Sequence, residues 1–188
     1  HFGGRPVAVA SFRALADRHG LALIEDAAHA VEAVSAGRKI GATADVTCFS
    51  FYATKNLTTG EGGMLTTASD HVARFARTAS QHGISRDVWA LYKETGSPHY
   101  DVLFPGFKYN MMDLQAALGI HQLKKLDSFN ERRARLAAIY QKRFASMPEI
   151  RLQKNPPYEH FHSWHLFVIM LNPDQLTIGR DEFLAKLQ

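Results

Sequence analysis

Two short apolar runs constrain this chain most: Leu21-Ala22-Leu23-Ile24, which ends in Glu25-Asp26, and Val46 to Phe51, which opens into a polar loop from Thr54 to Gly63. Each has the length of a strand, and the second is rich in β-branched and aromatic residues. Before the first run, Val9, Phe12, Leu15 and Ala16 recur at helical spacing, and His19-Gly20 closes that helix. Helix then buried strand, with acids at the strand's C-terminal end, predicts an α/β layer architecture.

The rest of the chain extends that rhythm. Met64-Leu65-Thr66-Thr67 reads as a third strand, and Ser69 or Asp70 caps a helix reaching about Ser80. Residues 83–110, with Gly83, Gly96, Pro98, Pro105 and Gly106, read as a long irregular segment of the kind that serves function or a partner. Two helices follow, an apolar one from Met111 to Leu126 and one striped by Phe129, Leu136, Tyr140, Phe144 and Met147, stopped at Pro148. Asn155-Pro156-Pro157 is the linker candidate. Trp164 to Leu171 then reads as a strand and Arg180 onward as a helix. The expected division is 1–147, part of a large ligand-binding domain, and 148–188, the beginning of a small C-terminal domain.

Composition narrows the function classes. The 188 residues, 46% apolar, suffice for one domain with a core, or one domain and the start of another. A net charge of +4, spread along the chain, suits anionic small molecules and not a nucleic-acid stripe. Cys48 is the single cysteine, so no disulfide framework exists, and a cytoplasmic location is expected. No apolar run approaches the ~20 residues that span a membrane. The absence of an initiator Met and the helix that begins at Arg180 suggest an excerpt of a longer protein.

Several constellations carry chemistry. Asp26, at a strand's C-terminal end, sits where open α/β sheets bind ligands and can hold a cationic ring nitrogen; its bland role is to cap a following helix. Ser50 and Lys55 put a hydroxyl and an amine just beyond a buried strand; a lysine among apolar groups can become a nucleophile, and its bland role is that of an ordinary surface lysine. Thr58-Thr59-Gly60-Glu61-Gly62-Gly63 is either an anion-cradling loop or a plain turn. His160, His162 and His165 invite a metal reading, but no carboxylates complete a ligand set and none is expected. Ser50, His29 and Asp26 invite a hydrolase triad, but the G-x-S-x-G elbow is missing.

In order, Ile24-Glu25-Asp26-Ala27-Ala28-His29-Ala30, Gly41…Asp45…Phe49-Ser50-Phe51…Thr54-Lys55-Asn56…Gly60-Glu61-Gly62-Gly63, His82-Gly83-Ile84-Ser85-Arg86 and Gly106-Phe107-Lys108-Tyr109-Asn110-Met111…Asp113…Gln115-Ala116-Ala117-Leu118-Gly119 resemble the DegT/StrS-type pyridoxal-phosphate (PLP) sugar aminotransferases. The resemblance implies a fold-type I PLP enzyme with a mixed sheet, acting in amino-sugar and polysaccharide biosynthesis as a homodimer with shared active sites. It implies that Lys55 attaches to the cofactor and carries protons, and that Asp26 pairs with the pyridine nitrogen. Ala28 would pack on the ring, His29 would lie near its phenolic oxygen and Ser50 would donate to its phosphate. Lys108 to Asn110 would reach the neighbouring subunit's phosphate, although many relatives carry Asn where this chain has Lys108. A dehydratase branch carries His in place of Lys55, so Lys55 points to amino transfer, from glutamate to a nucleotide-linked keto-sugar. Family members are about twice this long, and the missing portions would supply a phosphate-binding helix start and an aromatic residue stacking on PLP. A non-catalytic regulatory relative, or an enzyme acting on a non-nucleotide cyclic ketone, stays open.

Overall fold

A computed structural model describes residues 1–84 and 100–187. Helix α1 (Val9–Arg18) buries Val9 and Ala16. It ends as Gly20 turns left-handed (φ 60°) and the Leu21 N–H reaches back to the Ala16 carbonyl at 2.9 Å. That return uses Leu21, so strand β1 (Ile24–Asp26) starts three residues later than the apolar run suggests. The buried position of β1 is Glu25, not Ile24, which is 67% exposed. The Thr43 hydroxyl donates to both Glu25 oxygens at 2.9 Å, Thr47 Oγ1 donates to Oε2 at 2.8 Å, and the His1 ring lies 3.2 Å from Oε1. These partners replace the water a carboxylate loses on burial.

Beyond β1 the chain turns without forming a helix, so Asp26 caps no helix; its Oδ1 accepts the Ala28 N–H at 2.9 Å. Ala27, Ala30 and Ala33 are fully buried and pack with Val9 and Ile40 against Leu23 and Phe49. Strands β2 (Val34–Ser35) and β3 (Arg38–Lys39) form a hairpin, joined by Ala36 and Gly37, both at positive φ. These strands are absent from the sequence reading, because two residues carry no periodicity.

Strand β4 (Val46–Ser50) runs parallel to β1 and antiparallel to β5 (Gly63–Thr66), giving a mixed sheet in the order β1-β4-β5. In α2 (Asp70–Ser80), Ser69 is the cap: its Oγ accepts the Val72 N–H. Of the expected irregular segment, and of the His82 to Arg86 motif, residues 85–99 lie outside the described residues. Residues 100–110 form a strap along the end of α2. Phe107 and Tyr109 donate N–H groups to the Ala79 and Ser80 carbonyls at 2.7 and 2.9 Å, and Leu103 to Gly83 at 2.9 Å. The crossing is bare backbone: a Cβ on Gly83 would lie 1.9 Å from the Phe104 carbonyl oxygen.

The expected apolar helix is shorter than its run. It is α3 (Asp113–Leu123), started by the Met112 N–H donating to the Gln115 side chain, and α4 (Leu126–Phe144) follows. Leu126, Asn130 and Ala137 are the buried face of α4. Strands β6 (Ile150–Leu152) and β8 (Ile169–Leu171) pair, and β7 (His160–Phe161) joins β2. Helix α5 (Arg180–Leu187) ends the described chain. Only Ile169–Leu171 of the expected strand from Trp164 is a strand. Between β7 and β8 the backbone bonds elsewhere: Ser163 and Leu166 donate to the Gly4 and Gly3 carbonyls at 2.9 and 3.0 Å.

Candidate functional site

The C-terminal ends of the parallel strands β1 and β4 lie side by side, with Asp26 in register with Cys48 and Ser50 two residues further on. The Ala27 N–H donates to the Cys48 carbonyl at 2.8 Å and holds the two ends level. Asp26 thus stands at one strand end and Ser50 at its neighbour, with strands about 4.8 Å apart.

Each side chain there keeps a free hydrogen-bonding function. Asp26 spends Oδ1 on the Ala28 N–H, which leaves Oδ2. Ser50 Oγ accepts the Tyr52 N–H at 3.3 Å, which leaves its hydroxyl proton. His29 Nδ1 accepts the Gly3 N–H at 3.2 Å, so the neutral ring carries its hydrogen on Nε2. Burial is the main force pushing the His29 pKa down; the nearby Lys55 charge pushes the same way and Asp26 opposes it. His29 therefore feels the charges of both the Lys55 amine and the Asp26 carboxylate. Lys55 is half-buried and makes no ion pair among the described residues. This set of one carboxylate, one hydroxyl, one imidazole N–H and one unpaired amine has the donor chemistry a phosphorylated pyridine aldehyde requires.

The loop behind Lys55 is fixed by its own residues. The Lys55 and Thr59 N–H groups donate to the Tyr52 and Phe51 carbonyls at 3.0 and 2.9 Å. The Gly60 N–H is taken by the Thr58 hydroxyl at 2.9 Å, and Thr59 Oγ1 donates to the Glu61 carbonyl at 2.6 Å. The glycine-rich stretch is thus a turn into β5, and its Gly60 N–H is not offered to an anion.

Lys108 and Asn110 form a second cluster. The Lys108 amine contacts Asn110 Oδ1, and both line a cavity of about 340 Å³ with Gln81, His82, Met111 and Asp113. Among the described residues neither contacts Asp26, His29, Ser50 or Lys55 through a hydrogen bond. The three C-terminal histidines are engaged separately. His160 Nδ1 pairs with the Tyr158 carbonyl, His162 Nδ1 accepts the Trp164 N–H, and His165 Nδ1 meets Asn56 Oδ1. Among the described residues no three His, Cys, Asp or Glu side chains stand close enough to hold a metal ion, and no helix is long and apolar enough to cross a membrane. His165 and Asn56 border the site, although sequence reasoning gave Asn56 no role beyond its motif. Asn56 sits in the polar loop and His165 among the three C-terminal histidines, and neither setting signals their contact.

A family model described as the DegT/DnrJ/EryC1/StrS aminotransferase family matches residues 1–188. The chain is 45% identical to the spore coat polysaccharide biosynthesis protein SpsC of Bacillus subtilis, over 100% of this chain and 48% of that protein. Among solved structures it is similar to S. venezuelae DesV in complex with a ketimine intermediate (TM-score 0.84, 36% identity, 100% of this chain and 46% of that one). It is also similar to the PLP form of the putative sugar aminotransferase Spr1654 from Streptococcus pneumoniae (TM-score 0.70, 32% identity, 81% and 38%). The chain spans about half the length of the curated relatives it matches. These similarities bear out the fold-type I expectation, and the mixed sheet agrees with it.

Proposed function

The chain belongs to the DegT/DnrJ/EryC1/StrS aminotransferase family, and from that premise we propose that the full-length protein moves an amino group from glutamate to a nucleotide-linked keto-sugar, with PLP as cofactor. What supports the reading is the pairing of β1 with β4, which sets Asp26 and Ser50 at neighbouring strand ends, with His29 three residues beyond Asp26 and Lys55 five beyond Ser50. Bound PLP would supply a ring that takes up the electrons released at the substrate carbon. Asp26, through its free Oδ2, would hold the ring nitrogen protonated. His29 would donate from Nε2 to the phenolic oxygen, and Ser50 would donate its hydroxyl to the phosphate. Ala28 would bear on one ring face. Lys55, unpaired and half-buried, would attach the cofactor and then move a proton between cofactor and substrate carbons.

Lys108 and Asn110 would serve the phosphate of a second copy, in a homodimer whose active sites are shared. Support comes from their separation from the first cluster and from the exposed apolar residues beside them, Tyr109 at 73% and Leu114 at 82%. The division at 147/148 belongs to the same proposal, with residues 158–166 packing back on the first part. So does a cytoplasmic location, supported by the exposed, unpaired Cys48.

The test uses the full-length protein with PLP. Wild type should develop the visible band of a lysine-linked cofactor and show ping-pong kinetics with glutamate and a keto-sugar nucleotide. Lys55→Ala should lose the band and lower turnover by several orders of magnitude. A variant that keeps both sinks the assignment. Faster turnover of non-nucleotide cyclic ketones in a substrate panel would replace the acceptor.

A further inference from the structure

The side-chain amide of Asn56, the residue after Lys55, joins three parts of the molecule. Nδ2 donates to Asn130 Oδ1 on α4 at 3.1 Å and to the Ser163 carbonyl at 2.7 Å. Oδ1 lies 3.1 Å from His165 Nδ1. Asn56 is 6% exposed, Asn130 3% and Ser163 0%, so water does not compete. The Ser163 carbonyl can only accept, which settles how the amide points. Both Nδ2 hydrogens are then used and only Oδ1 faces His165.

An amide oxygen only accepts, so His165 Nδ1 must carry the hydrogen. A neutral imidazole has one N–H, and Nε2 is therefore a bare acceptor. The His165 ring lies 4.4 Å from the His29 ring, tilted by 35°. His29 holds the opposite tautomer, fixed by the Gly3 N–H. One imidazole of the pair thus offers a donor and the other an acceptor. Burial, reinforced by the charges of His29, Lys55 and Arg133, pushes His165 down to about 4, so it stays neutral near pH 7. Arg133 is itself held by donation to the Trp164 carbonyl at 3.2 Å.

We propose that Asn56 is a positioning residue for Lys55. It ties the lysine's loop to α4 and to the 163–165 segment, and it holds His165 as the tautomer whose Nε2 accepts beside His29. The inference rests on the reading that Lys55 carries the cofactor. A loop anchored in this way keeps the amine from drifting, and small displacements of a reacting group are costly. The pH at which the lysine linkage changes its proton depends on the groups around it, so that pH reports a change in the loop's position.

The test compares Asn56→Ala, Asn56→Asp and Asn130→Ala in the full-length protein. Three quantities are read: the pH midpoint of the lysine-linked cofactor band, steady-state kinetics, and the His165 tautomer in the cofactor-free protein by imidazole ¹⁵N NMR. Asn56→Ala should move the band midpoint by at least about half a unit. It should lower kcat on the order of 10–100-fold, while the KM for glutamate changes by less than about threefold. Asn130→Ala breaks only the scaffold link, so it should lower the melting temperature and leave the midpoint in place. Asn56→Asp restores an acceptor and should keep the hydrogen on Nδ1 while raising the His165 pKa; it also serves if Asn56→Ala does not fold. An unmoved midpoint in Asn56→Ala, or an equal shift in Asn130→Ala, overturns the proposal. If wild type forms no band with PLP, the functional reading has failed instead. The NMR experiment then decides alone, and a His165 hydrogen found on Nε2 overturns the inference.

Discussion

The loop around Lys55 and the strap around Lys108 each carry a lysine toward the same kind of ligand, in opposite settings. Around Lys55 the neighbours are buried, Asn56 at 6%, Leu57 at 5% and Thr59 at 4% exposed, and their hydrogen bonds close within this chain. Around Lys108 the neighbours face outward, Phe107 at 55% and Tyr109 at 73%, their rings stacked 4.9 Å apart. The difference teaches that one lysine sits on a loop fixed by contacts among the described residues, and the other beside an exposed apolar face. The lysine loop is held by contacts already present. The strap has its backbone hydrogen-bonded to the end of α2, and its side-chain face is exposed.

Four substitutions break or sharpen this contrast, taken from the largest effect down. Leu57→Ala should destabilise the protein by about 2–5 kcal/mol, because a fully packed side chain is lost from a self-contained loop. Denaturant unfolding measures it, and a cost below about 1 kcal/mol would mean that the loop is not the rigid partner of the pair. Lys108→Ala should leave unfolding almost unchanged and weaken PLP binding by about 10–100-fold, the worth of one charge-assisted hydrogen bond. Cofactor titration of the full-length protein reads this, and unaltered affinity would remove Lys108 from the site.

The third case is acid stability. Burial, helped by Arg5 and His160, pushes His162 down to about 4 from its ordinary 6.5. The unfolded chain therefore takes up this proton first. Stability contributed by the neutral ring is intact above pH 6.5, falls as the pH drops toward 4, and levels off below that value. His165 acts with the same sign. His162→Gln should flatten this slope in melting temperatures taken from pH 7 to pH 4, and an unchanged slope would show that the ring is not held neutral. The smallest effect is expected from Leu114→Ala, where a residue 82% exposed should change monomer stability by less than about 0.5 kcal/mol. A larger loss that grows with protein concentration would mean that a second chain covers this helix.

Legibility in the sequence followed the range of the interactions. Ser69 at the start of α2 and Gly20 at the end of α1 were readable, because caps depend on residues a few positions away. β4 was readable from its own β-branched and aromatic content, and β5 from the short run Met64 to Thr67. The hairpin β2–β3 and strand β7 were not, since two-residue strands exist only through their partners. Glu25 read only as an acid at a strand's end, and its burial depends on Thr43 and Thr47, 18 and 22 residues away. The Asn56 hub was out of reach altogether, because Asn130, Ser163 and His165 lie 74, 107 and 109 residues along the chain. For the candidate site, motif order suggested which residues belong together. Only the fold revealed the free lone pair of Asp26, the tautomer of His29 and the hydroxyl proton of Ser50.

The contact of Gly83 and Gly106 carries a last consequence. A Cβ on Gly106 would lie 2.2 Å from the Gly83 nitrogen, so the gap between α2 and the strap is already at its minimum. Any side chain placed at either glycine must therefore push the strap away from the end of α2. A variant library aimed at the Lys108 cavity has to leave both glycines alone and vary lining residues such as Gln81, His82 and Met111 instead.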